Sequence, residues 1–139
     1  MNEPLPDLSP VLAWVGRSYA AMTCWDLVRE AFALRGVALP NDYYKAASQF
    51  RVVDPAEDPE PWDVIVLRTH PIITNHIGLM LGSTMFIHSL EGVGVTIGRT
   101  DRVPWQKPGR IAGVMRLRAS ALPAPSATSP SMPSPNGIR

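Results

Sequence analysis

TCWDLVREAFALRG, Thr23 to Gly36, reads as one helix with both of its ends marked. Thr23 and Asp26 form the S/T-x-x-D/E capping signature, and Gly36 follows the last turn as a stop. Leu27, Val28, Ala31 and Phe32 fall on one face, and Cys24, the chain's only cysteine, lies on the same stripe at the first helical position. That first position has a chemical consequence. The unpaired N–H groups of a helix start favour an anion by roughly 0.3–1 kcal/mol when exposed, and the thiolate is the nucleophilic form of cysteine. The same placement also suits a small core residue, which is the commoner use of a lone cysteine on an apolar face.

Before the helix, the short apolar run VLAWV (Val11 to Val15) ends at Gly16 as a helical turn, and a further short helix is expected from Tyr43 to Phe50. The acidic, proline-rich DPAEDPEP (Asp54 to Pro61) is a loop, and beyond it the period changes. DVIVLR (Asp63 to Arg68), HIGLML (His76 to Leu81), MFIHS (Met85 to Ser89), VGVTI (Val93 to Ile97) and IAGVMRL (Ile111 to Leu117) read as strands between Gly, Pro and Asp breakers. Helices first and strands after is the α+β layout, here N-terminal helices on a five- to six-stranded antiparallel sheet. Residues 1–118 make one domain, enough for a single modest core. Residues 119–139, rich in Pro, Ser and Ala and nearly uncharged, are expected to form a disordered tail.

Bulk properties narrow the function classes. The net charge of +1 and the scattered Arg99, Arg102, Lys107, Arg110, Arg116 and Arg118, read as a solvated surface, give no nucleic-acid footprint. One cysteine makes no intrachain disulfide. The N-terminus lacks the pattern of a secretory signal and no apolar run is long enough for a bilayer, so synthesis in the bacterial cytoplasm without membrane insertion is expected.

Strand alternation puts His76, Gly78 and Met80 on one face of their strand, and Phe86 and His88 share a face of the next. If these strands pair through the short connection at Gly82 to Thr84, the two histidines lie together. A helix start bearing Cys24 against that side would complete a nucleophile, a base and an orienting group. A metal bound by Cys24, His76 and His88 is the competing chemistry, but no CxxC or HxxxH spacing supports it. No cofactor is called for. His70, before a proline in a loop, reads as an exposed bystander. Trp25, Phe32, Trp62 and Phe86 are expected in the core, Trp105 in a loop that could line a substrate groove, and at most one of Tyr43 and Tyr44 pointing inward.

These residues carry a resemblance. CWDLVREAF is similar to the nucleophile helix of the NlpC-type cell-wall cysteine peptidases, small papain-like enzymes. PWDVIVLR resembles their Pro-Gly-Asp strand, HIGLMLG the His-Val-Gly strand with the base, and FIHSLEGVGV the strand with the third polar residue. The glycine-rich turn after that strand and the closing WQKPGRIAGVMRLR look like the branch carried by phage tails and gene-transfer particles. The resemblance spans Trp14 to Arg118.

It implies a papain-like fold, with Cys24 as nucleophile, His76 as base, His88 as orienter and Tyr19 beside the oxyanion site. It implies a Cys-His-His endopeptidase acting on peptidoglycan stem peptides through a thioester. By the same resemblance the protein would sit in a virion tail, with other tail-tip proteins as partners. The alternative is a structural tail-tip protein that keeps the fold with weak or no activity. The chain departs from the family pattern in three places: the loop before the cysteine is shortened to AAMT, Thr23 stands for an Asp, and Asp26 for a Gly.

Overall fold

The computed structural model describes residues 7–69 and 76–122. A short helix α1 (Ser9–Leu12) precedes α2 (Cys24–Ala33) and α3 (Tyr43–Ala46), and six strands follow: β1 (Phe50–Val52), β2 (Val64–Leu67), β3 (His76–Met80), β4 (Met85–Leu90), β5 (Gly94–Arg99) and β6 (Ile111–Leu117). They form one antiparallel sheet in the order β1-β6-β2-β3-β4-β5. Helices packed on a six-stranded antiparallel sheet make this the expected α+β, papain-like architecture. His70 and residues 123–139 of the expected tail lie outside the described residues; Ala119–Ala121 form a 3-10 turn.

The capping box forms as read from the sequence. Thr23 Oγ1 accepts from the Asp26 N–H at 3.2 Å, and Asp26 Oδ2 accepts from the Thr23 N–H at 3.1 Å. At the other end Gly36 takes φ +77°, a left-handed conformation that glycine adopts without penalty. The second expected helix is cut short. Only Tyr43–Ala46 is α-helical, a 3-10 turn spans Ala47–Gln49, and Phe50 opens a strand. Tertiary pairing overrides local helix preference here: Phe50 registers with Leu117 of β6 and buries its ring edge-on to Phe32 at 5.7 Å.

The sheet separates two apolar layers. Leu27, Val28, Ala31 and Phe32 of α2 pack on Val64, Val66, Ile77, Leu79 and Ile87. On the opposite face Ile65, Leu67, Met80 and Phe86 pack with Trp105. Phe32, Trp62 and Phe86 are buried as expected, whereas Trp25 is only half-buried.

The free edge of β5 is covered by the chain ahead of α2, which limits stray strand pairing. Gly16 N–H donates to the Val95 carbonyl at 2.9 Å, and Val95 N–H to that of Arg17 at 2.8 Å. Gly94, at φ +93°, permits this approach, because a Cβ there would lie 2.4 Å from the Arg17 oxygen.

Two features of the β2 entry were not legible in sequence. Arg116, expected on a solvated surface, forms a two-pronged pair with the buried Asp63, both contacts at 2.8 Å. That pairing explains how a carboxylate 2% exposed is tolerated. Trp62, directly before it, has φ +77° in the position the resemblance assigns to glycine. Its N–H donates to the Met80 carbonyl at 2.9 Å, and its ring packs on Phe32 and under the Arg35 guanidinium.

A left-handed backbone costs a non-glycine residue about 1–2 kcal/mol. Both Trp62→Ala and Trp62→Gly are therefore expected to destabilise by about 3–5 kcal/mol through the lost ring. At an ordinary position glycine is about 0.5–1 kcal/mol worse than alanine. At Trp62 glycine should be at least as stable as alanine. Urea unfolding of both variants checks this, and a clear deficit for glycine would refute it.

Candidate active site

Cys24 stands at the first turn of α2, anchored from below. Ser89 on β4, fully buried, donates its hydroxyl to the Met22 carbonyl just ahead of the cap. Since α2 packs on the Ile77/Leu79 face, its N-terminus does not rest on the face that bears the histidines, contrary to the arrangement expected from strand alternation. The reason is burial: the apolar stripe of α2 needs the face carrying Val64, Val66, Ile77, Leu79 and Ile87 of β2, β3 and β4. Cys24 instead comes to the same pocket as His76, the first residue of β3. Both line one pocket of about 180 Å³ together with Trp25, Tyr43, Tyr44, Val66 and Ile77.

The sulfur is half-buried, and burial pushes the thiol up from its ordinary range. Three backbone N–H groups act against this, those of Ile77, Trp25 and Cys24 itself. All three favour the thiolate, so the helix-start argument holds in kind although burial outweighs it.

His76 and His88 lie together, as alternation predicts. Leu79 pairs with Ile87 and Met80 with Phe86, which puts His88 diagonally across from His76 on one face. Their rings meet at 2.7 Å, His76 Nε2 to His88 Nδ1. Both are deeply buried, 6% and 2% exposed. Burial lowers His76 to about 4; burial, then the positive charge of His76, lowers His88 to about 3. The pair is thus neutral at pH 7, with a single proton between the facing nitrogens. Gly78 makes room for this layer, since a Cβ there would come within 3.0 Å of the Phe86 ring and 3.2 Å of the His88 Cβ.

Trp105 completes the site from the outer face. Its ring stacks on His76 at 15° between planes and stands edge-on to His88 at 5.5 Å between centroids. It is 7% exposed and lies over the pair rather than lining the thiol pocket. The loop motif VPWQKPG showed that this tryptophan lay outside a regular element, but nothing in its spacing pointed to the histidines.

Tyr19 is half-buried on the turn before the cap. Burial raises its phenol, followed by the negative charges of Cys24, Glu91 and Asp26, so it lies within electrostatic reach of the sulfur but not on the pocket wall. The pocket wall is instead aromatic. Trp25 donates its indole N–H to the Pro40 carbonyl at 3.0 Å and meets Tyr43 edge-on at 5.5 Å. Tyr43 packs against the core while Tyr44 is 81% exposed, so only one of the two points inward. Among the described residues no cluster of His, Cys, Asp and Glu is disposed to hold a metal ion.

Two solved structures share this fold. One is a protein similar to a lipoprotein of the NLP/P60 family from Staphylococcus aureus subsp. aureus Mu50, with 17% identity and a TM-score of 0.61 over 83% of this chain and 43% of that one. The other is an NlpC/P60 family protein from Bacillus cereus ATCC 10987, with 19% identity and a TM-score of 0.64 over 86% of this chain and 42% of that one. The chain therefore spans less than half the length of either. No curated protein matches it. The NlpC/P60 family matches residues 11–114, from the first helix through most of the last strand and across Cys24, His76 and His88. The chain belongs to the NlpC/P60 family.

Proposed function

We propose that the protein is a cysteine endopeptidase that hydrolyses peptidoglycan stem peptides. The observation that carries this reading is one pocket shared by Cys24, on a capped helix start, and His76, whose ring is hydrogen-bonded to the buried His88 behind it. Family membership supports the substrate class.

His76 uses Nε2 toward His88, so Nδ1 is left for the thiol. For Nδ1 to accept a proton, Nε2 must carry the hydrogen and donate it to His88 Nδ1. The thiol proton passes to His76 Nδ1 as Sγ attacks the peptide carbonyl. The C–N bond then breaks, the amine leaves with the proton from His76, and the acyl group remains as a thioester on Cys24. Water, deprotonated by His76, attacks the thioester; the acid departs and the thiol is restored. The N–H groups around the sulfur and the Tyr19 hydroxyl are the candidates for stabilising the oxyanion, a contribution typically worth about 3–4 kcal/mol.

The setting in a phage or gene-transfer tail, with tail-tip partners, rests on the likeness of FIHSLEGVGV and WQKPGRIAGVMRLR to that branch. The second reading, a structural tail protein of weak activity, is favoured by one observation: burial raises the Cys24 thiol and lowers His76, both against an ion pair at rest.

Purified protein and its Cys24→Ala variant, incubated with defined muropeptides and followed by mass spectrometry, decide between the two. Cleavage that disappears in the variant is expected and identifies the bond. No cleavage, with Cys24 also inert to iodoacetamide at neutral pH, would transfer the assignment to the structural reading.

A further inference from the structure

The histidine pair has a second open side. His88 uses Nδ1 toward His76, and among the described residues its Nε2 has no hydrogen-bond partner although the ring is 2% exposed. A buried polar group left unpaired costs about 1–3 kcal/mol, so an Nε2 in this position calls for an occupant. Nε2 lies on the side of Gly98, where a Cβ would approach it to 3.2 Å and the Phe86 ring to 2.6 Å. The missing side chain keeps that side open. His88 and Gly98 border a groove of about 370 Å³, separate from the thiol pocket, with Thr96, Arg99, Arg102 and Trp105.

The sign of the occupant follows from the lining. In the tautomer that lets His76 accept the thiol proton, His88 Nδ1 is an acceptor and its hydrogen sits on Nε2, so the groove is offered a donor. This step rests on the peptidase reading. Both charged residues of the lining are arginines. Arg99 is committed to Asp101 through two contacts of 2.9 Å. Arg102 touches the same carboxylate only at 3.7 Å, and its side chain is 68% exposed, leaving it able to turn toward a ligand.

We propose that this groove is a carboxylate-binding subsite, in which one oxygen accepts from His88 Nε2–H and Arg102 supplies the countercharge. A carboxylate there would extend the row Cys24–His76–His88 by an anion and favour a proton on the histidine pair, the state His76 must reach when it takes the thiol proton. Free carboxylates are carried by the ends and acidic side chains of peptide substrates and by the products of their hydrolysis.

The test is a titration of the full-length Cys24→Ala protein with sodium acetate, following the His88 ring resonances by NMR, with sodium chloride at equal ionic strength as control. A saturable shift with acetate and none with chloride is expected, and Arg102→Ala should weaken it about fivefold, the factor of a partly exposed charge pair. A shift that grows linearly, or is the same in Arg102→Ala, would overturn the site. In a second arm a stem tetrapeptide replaces acetate: a shift at lower concentration assigns the groove to the substrate's own carboxylate, and a shift with acetate alone assigns it to free carboxylates. Because binding is read without turnover, a failure of the groove leaves the peptidase assignment to the cleavage assay.

Discussion

Replacing His76 with alanine is expected to lower kcat for stem-peptide hydrolysis by about 10²–10⁴-fold, the range of a lost general base, with little change in KM. The size follows from the resting state. Burial raises the Cys24 thiol and lowers His76, so almost no thiolate is stored in advance and the proton must move during attack. Without an acceptor at that moment the step loses its base outright. His88→Leu should act less strongly, about 10–100-fold, as is usual for partners that orient a catalytic ring. It removes the acceptor for His76 Nε2–H at 2.7 Å and with it the preference for the tautomer whose Nδ1 is free. His88→Gln, whose amide oxygen can accept the same hydrogen, should recover much of that loss. Steady-state kinetics on a fixed muropeptide separate the three. A His76→Ala enzyme within about threefold of wild type would show that some other group takes the proton.

Much of this arrangement was legible because it obeys short-range rules. The capping box at Thr23 and Asp26 and the stop at Gly36 are local chemistry, and they fix where Cys24 sits on its helix. Period-two alternation placed His76 and His88 on one face, and the short connection between β3 and β4 brought them together. What alternation cannot say is which face a helix covers. That choice depends on summing aliphatic surface across β2, β3 and β4, which are brought side by side only by the fold, and so the placement of Cys24 off the histidine face was not legible. The same holds for Arg116 and Asp63, separated by 53 positions, and for Trp105, whose loop folds back over the histidines. β1 is not readable from the sequence for a related reason: three residues with one inward side chain carry too little period to be distinguished from the end of a helix.

The burial that shapes the histidine pair should also make the whole fold acid-sensitive through histidine. In the unfolded chain both rings take a proton near their ordinary pKa, about 6.5; in the folded protein His76 holds out to about 4 and His88 to about 3. Below pH 6.5 the unfolded state therefore binds protons that the folded state refuses, and stability falls as pH falls. It is fully present above about 6.5 and lost across the window down to about 3–4. Each such proton tilts the balance by about 1.4 kcal/mol per pH unit, and the two together by about twice that in the middle of the window. Because the rings share a hydrogen bond, the folded pair titrates as one unit rather than as two sites. Urea unfolding between pH 6.5 and 5, above the range where exposed carboxylates titrate, isolates the effect. His88→Gln should roughly halve the slope, since one of the two refused protons disappears. Equal slopes in wild type and His88→Gln would mean that the rings are solvated in solution. The neutral resting pair invoked for catalysis would then fail with the stability argument, because both rest on the same desolvation.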